Sequence, residues 1–400
     1  MSIETLRQSI AATKDVAYFN TGWAGPSPEP VLARMREVFE REAAAGPASL
    51  ESLRLARELN EEARVVLAGL FAAEPNEVLI THGTTEGLNI VLHGFNWQPG
   101  DELVTCDLEH MALANPPPVL AERHGVSVRR VELPVGASEE EQLRLVTEAI
   151  TPRMRIVALS HIQFSCGLRM PIKAIADMAH RAGALVLVDG AQTGGQIAID
   201  VREIGADFYA VSGQKWLLGP IGTGALYVAR EHARAIEPLF TTHTISDGRV
   251  QVAENAGPSS PMQRFRVTAQ SPALLAGLIE AARTMQAIDM DVVEARANEL
   301  ASRLRAGLLA LPGCALSGPR EGPTSCGLVA VTVQGWEPRQ VVEALWERWR
   351  IAARAVAFPP AVRFSCHVFN TEAEIDKAVG ALALLVKDGP PESVEASAAH

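Results

Sequence analysis

The chain has only five cysteines in 400 residues, Cys106, Cys166, Cys314, Cys326 and Cys366, an odd and scattered set with no CxxC pair. This fits a reducing compartment better than a disulfide framework. No apolar run approaches the ~18 residues of a membrane-spanning helix. The opening MSIETLRQSIAATKD is polar and carries acids, unlike a signal peptide. Neither a Walker A loop nor a GxGxxG fingerprint follows a strand-like segment, so a nucleotide-dependent enzyme lacks its recognition site. Positive charge is also in deficit. The net charge of −11 makes nucleic acid and anionic membrane surfaces poor partners. It leaves room for a phosphorylated ligand, which local backbone amides can bind. There are no internal repeats and no low-complexity linker. The expectation is a soluble, cytoplasmic globular protein without a metal site.

Hydrophobic residues make up 48% of the chain, enough for a large core. After an extended piece over 17–30, helical periodicity runs over about 31–45 and 50–72. Short apolar runs then alternate with helical patterns. The strands are expected at 77–81, 102–106, 126–133, 156–160 and 185–189, with helices from 86, 112, 138 and 172 between them. Such spacing predicts an α/β fold, a mostly parallel sheet with helices on both faces. Two further strands, 208–212 and 224–228, flank a glycine-rich turn, and a helix over 271–287 leads to a smaller α+β unit. There, 326–333 reads as a strand, and 339–348 and 373–386 as helices. The expected organisation is an N-terminal segment (1–30), a large domain (31–290), a small C-terminal domain (291–387) with a contribution from the N-terminus, and a disordered tail (388–400).

The run Ala184-Leu-Val-Leu-Val-Asp-Gly-Ala-Gln192 ends an apolar strand in an acid. The next strand leads into Ser212-Gly-Gln-Lys215. A carboxylate left alone at such a place is costly. A lysine at the neighbouring strand end, flanked by glycines that admit a bulky ligand, supplies a reason for it. The pair suits pyridoxal 5′-phosphate (PLP): Lys215 condenses with the cofactor aldehyde, and Asp189 keeps the pyridine nitrogen protonated. Desolvation lowers the lysine pKa, as that condensation requires. The phosphate finds a cradle in Thr81-His-Gly-Thr-Thr-Glu-Gly87. There Gly83, Thr84 and Thr85 lie between a strand and a helix N-terminus, although either threonine could be a plain cap. Ser212 and Gln214 could add donors, and Gln192 could reach the ring hydroxyl. His110 follows a strand and could stack on the ring and shuttle protons.

These segments together resemble the class V aminotransferase family of fold-type I PLP-dependent enzymes, which includes cysteine desulfurases, C–S lyases and isopenicillin N epimerase-like proteins. The likeness rests on 81–89, Glu109-His110, 160–167, 188–192, 211–228 and 363–376. It implies the roles above for Asp189, Gln192, His110 and Lys215, and a homodimer with active sites at the subunit interface. It also implies that Arg363 clamps a substrate α-carboxylate, as a planar guanidinium can. Arg354 is a candidate second anion contact, Trp23 a candidate pocket wall, and Thr268 a donor to the partner's phosphate, while His243 reads as a loop histidine. Three departures bear on the substrate. The stretch 353–362, where desulfurases carry a nucleophilic cysteine loop, is short and has none. Phe164 replaces an asparagine, and Gln214 a histidine. The expectation is α-proton removal from an amino acid by Lys215, followed by elimination or epimerisation rather than desulfuration. The alternatives are transamination and a catalytically inactive cofactor-binding protein.

Overall fold

The computed structural model describes residues 1–240, 245–246, 249–250, 261–265 and 270–390. Thr268, His243 and residues 391–400 of the expected tail lie outside the described residues. Asp388, assigned to that tail, instead closes the helix Glu372–Asp388. Its apolar stripe through Ile375, Ala378, Leu382 and Leu385 is buried, and Gly389 ends it with a positive φ.

The large sheet has seven strands: β1 (Val78–Thr81), β2 (Glu102–Cys106), β3 (Ser127–Val131), β4 (Met154–Ser160), β5 (Leu185–Asp189), β6 (Phe208–Ser212) and β7 (Gly224–Val228). Their spatial order is β1-β7-β6-β5-β4-β2-β3, and only β7 runs against the rest. The interior strands are apolar on both faces, as a sheet covered on both sides requires. Alternate residues feed two separate cores. Val186, Val188, Tyr209 and Val211 join one, and Leu187, Phe208 and Ala210 the other. Consecutive parallel strands therefore bring their polar last residues to one edge, where Ser160 lies beside Asp189 and Asp189 beside Ala210.

The helix expected from residue 112 is split into Met111–Ala114 and Pro116–His124. Prolines 116–118 cannot donate to the preceding turn, so the helix restarts with them in its first turn.

A second, antiparallel sheet comprises β8 (Cys314–Leu316), β9 (Leu328–Val333), β10 (Arg354–Ala357) and β11 (Pro360–Ser365), in the order β8-β9-β11-β10. The short stretch before Arg363 is thus a β-hairpin that pairs Arg354 with Arg363. The N-terminal segment ties the two sheets together. Ala17 and Tyr18 pair with Ile351 and Ala352, and Phe19 packs into the small-sheet core. Six residues later, Gly25 N–H donates to the Gln214 carbonyl at 2.7 Å, beside Lys215.

Candidate active site

Asp189, at the end of β5, is buried, and its Oδ1 accepts from Ala191 N–H at 2.8 Å. Burial raises its pKa, while Lys215 and the Ala191 bond oppose the rise. Lys215 follows β6. Burial lowers its pKa to about 8, Asp189 pulls it back up and Arg363 presses it down. Among the described residues no ion pair or hydrogen bond occupies the Lys215 amine or Asp189 Oδ2. The two groups act on each other through space, each opposing the shift that burial imposes on the other.

The helix Thr84–Gly94 begins at Gly83, which has no side chain to cap it. Thr84 and Ser212 meet there: the two hydroxyls are 2.7 Å apart and Thr84 N–H reaches Ser212 Oγ at 3.3 Å. A Cβ on Gly83 would meet nothing closer than Ser212 Oγ at 4.0 Å. Thr85 is exposed beside this opening. A concave helix N-terminus with two hydroxyls suits a phosphate. Gln214 Oε1 is buried and has no partner.

His110 caps the turn Met111–Ala114, its Nδ1 accepting from Ala112 N–H at 3.2 Å, which leaves a neutral ring's proton on Nε2. Burial, followed by the charges of Lys215, Arg363 and Arg354, lowers its pKa to about 4. Its ring meets Phe164 edge-on at 5.0 Å. Gln192 is placed differently from the simplest expectation. Its Nε2 donates to the Gly22 carbonyl at 2.9 Å and its Oε1 accepts from Trp216 Nε1 at 2.9 Å. The amide thereby anchors the N-terminal segment to the lysine turn.

Arg363, on β11, is 3% exposed and pairs with no acid among the described residues. Its Nη1 donates to the Phe164 carbonyl at 2.6 Å, and its Nε has no partner. Burial, with Arg354 beside it, lowers its pKa to about 9. The guanidinium of Arg354 lies 4.3 Å from the ring centroid of Trp23, which is 57% exposed. Two arginines that pair with no acid among the described residues form a candidate anion site. Sequence reasoning missed the contacts that close it. Ser365 Oγ accepts from Gly22 N–H at 3.1 Å, and His367 Nε2 meets the Trp216 carbonyl at 2.9 Å. The signal was the period-two pattern Arg363-Phe-Ser-Cys-His367, in which Phe364 and Cys366 enter the small core.

The donor set fits PLP: an amine and an acid for its two ends, a phosphate cradle, and an imidazole at the cleft. Fold and site define the class, a fold-type I PLP-dependent enzyme. A family model described as Aminotransferase class-V matches residues 18–378. A probable cysteine desulfurase of Pyrococcus abyssi is 30% identical over 402 residues, covering 96% of this chain and 98% of that protein. An isopenicillin N epimerase of Streptomyces clavuligerus is 30% identical over 396 residues, covering 95% and 97%. The solved complex of the cystine C–S lyase C-DES with its product cysteine persulfide matches with a TM-score of 0.87 at 28% identity, covering 96% and 100%. The chain belongs to the class V aminotransferase family.

Proposed function

We propose that this enzyme removes the α-proton of an amino acid and acts on its β-substituent or its configuration, as a C–S lyase or epimerase-like member of the family. One observation carries the reading: Arg363 is buried beside Lys215 with no acid paired to it among the described residues, so the missing partner is a substrate carboxylate. Bound PLP supplies an electron sink for the carbanion formed at the α-carbon. Lys215 would hold its aldehyde carbon, Asp189 its ring nitrogen, His110 its ring face, and Gly83, Thr84, Thr85 and Ser212 its phosphate. Gln192 would border the ring, and Gln214 would offer its free oxygen.

Arg363 orients the carboxylate, and Gly22 lets the N-terminal segment close over it. A Cβ at Gly22 would lie 2.8 Å from Ser365 Oγ and 3.0 Å from Arg363 Nη2. With a pKa near 8, Lys215 can both take and return a proton at the α-carbon near neutral pH. Arg354 and Trp23 suit a second acidic group on the substrate. Persulfide chemistry is disfavoured. Among Cys106, Cys166, Cys326 and Cys366 none is accessible, and burial holds Cys366, just past the arginine, at about 12. The exposed apolar side chains Met111, next to His110, and Ile221, in the turn after Lys215, fit a homodimer that completes the site.

The test is the visible spectrum of the PLP-loaded protein titrated with an amino-acid panel including cysteine and cystine, with assays for pyruvate and free amine. A spectral shift with pyruvate release establishes elimination, and a shift with loss of configuration alone establishes epimerisation. Accumulation of a pyridoxamine spectrum would replace both with transamination. No response to any amino acid would refute the reading.

A further inference from the structure

The carboxylate of Glu109 takes no part in this scheme, yet it is buried with no cation paired to it among the described residues. Every group around it is a donor. Ser160 reaches it through Oγ at 2.5 Å and through N–H at 3.0 Å, Gln163 through Nε2 at 3.0 Å, and the Cys106 thiol at 3.1 Å. Burial raises its pKa, and these four bonds oppose the rise. Removing a carboxylate from water costs several kcal/mol unless its lone pairs are satisfied, and here they are. The acid bridges the ends of the adjacent strands β2 and β4, at the edge that carries the site.

Its bonding partners lead to the site by two routes. Glu109 is followed in sequence by His110. Gln163 is followed by Phe164, whose ring meets His110 and whose carbonyl receives Arg363 Nη1. We propose that Glu109 is a positioning residue that holds the His110 turn in register with the Phe164 carbonyl and, through that carbonyl, aims the Arg363 guanidinium. The proposal rests on the reading of Arg363 as a carboxylate clamp. Glutamine at 109 keeps the volume but removes the charge and turns one acceptor oxygen into a donor, so Ser160 Oγ or the Gln163 amide must turn to accept and the charge-assisted bonds that tie the two loops are weakened. Methionine at 163 cuts only the link toward Phe164.

The experiment uses the PLP-loaded protein and propionate, a carboxylate without an amine, as the probe. Calorimetry gives its Kd, and visible circular dichroism reports how the ring sits against His110. Glu109→Gln and Gln163→Met are expected to weaken propionate about tenfold, the loss of one well-aimed charged hydrogen bond. Glu109→Gln should also change the dichroism, and Glu109→Asp, which keeps the charge, should recover most of the affinity. Should Glu109→Gln fail to fold, Gln163→Met carries the affinity test alone. Folded variants with wild-type Kd and dichroism would reduce Glu109 to a structural tie and overturn the proposal. Arg363→Ala separates the two readings. If it abolishes propionate binding while Glu109→Gln does not, only the role of Glu109 falls. If it too binds normally, the clamp itself is refuted.

Discussion

Replacing Arg363 by methionine removes a buried guanidinium that pairs with no acid among the described residues. Burial, followed by the charge of Arg354, lowers its pKa from the ordinary guanidinium range to about 9. At 1.36 kcal/mol per unit, the charged form opposes folding by about 5 kcal/mol when no substrate is bound. The unfolded chain holds that proton more tightly, so stability rises with pH above about 9, and below 9 the full cost is present. Methionine removes the cost but deprives the Phe164 carbonyl of a charged donor, about 1.5–3 kcal/mol. The balance favours the variant by about 2–3 kcal/mol. With about 2.1 cal/mol/K of unfolding entropy per residue over 400 residues, Tm rises by about 2–4 °C. The same change removes the proposed carboxylate clamp, expected to be worth about 3 kcal/mol or more, or roughly 100-fold in KM. Calorimetric melting without substrate and steady-state kinetics read the two effects. A variant that melts below wild type and keeps its KM would make Arg363 a structural strut.

Three further outcomes are expected. Only the neutral Lys215 amine attacks an aldehyde, so PLP capture by cofactor-free protein should accelerate about tenfold per pH unit below about 8 and level off above it; a flat profile from pH 6 to 9 in stopped-flow absorbance contradicts the lowered pKa. Gly22→Ala sets a methyl against Ser365, Arg363 and Gln192, all buried, and should cost about 1–3 kcal/mol and raise substrate KM about tenfold, measured by denaturant unfolding and initial rates. His232 and His180 both meet the Asp207 carboxylate, at 3.0 and 2.8 Å, and Asp207 raises the His232 pKa. That stabilisation is complete below the unfolded value of 6.5 and is lost as pH rises through the folded value. His232→Gln should therefore cost about 1 kcal/mol at pH 6 and less at pH 9 in parallel urea titrations, and an equal loss at both would refute the linkage.

Strands buried on both faces were the most legible elements. The runs around Asp189 and before Lys215 are short, apolar and bounded by turns, and the structure begins and ends both strands at the residues their pattern indicates. Edges and short elements were less so. The helix Ile3–Ser9, capped by Ser2, has one fully buried side chain, Leu6, too few for a periodicity. Strand β10 carries Arg354, Ala355, Val356 and Ala357, a set with weak strand preference, and it forms because β11 beside it offers a complete ladder. Candidate residues followed the same division. Asp189, Lys215 and the Gly83–Thr85 turn stand on local strand–turn–helix patterns. Glu109, Ser365 and His367 gain their roles from partners tens to hundreds of residues away, and Gln192 turned toward Gly22 and Trp216 for the same reason.

What the sequence determined alone is what local chemistry can carry: the alternation that builds a parallel sheet, an acid and a lysine at strand ends, a glycine before a helix start, and the lack of a cysteine ahead of Arg363. These depend on residue type and spacing within a few turns of chain. Tertiary structure decided which charges are left without partners. The fold buries Arg363 against Phe164, Gly22 and Arg354 with no acid paired to it among the described residues, and burial without an acid is a property of the assembled surroundings that no neighbouring residue in the chain encodes.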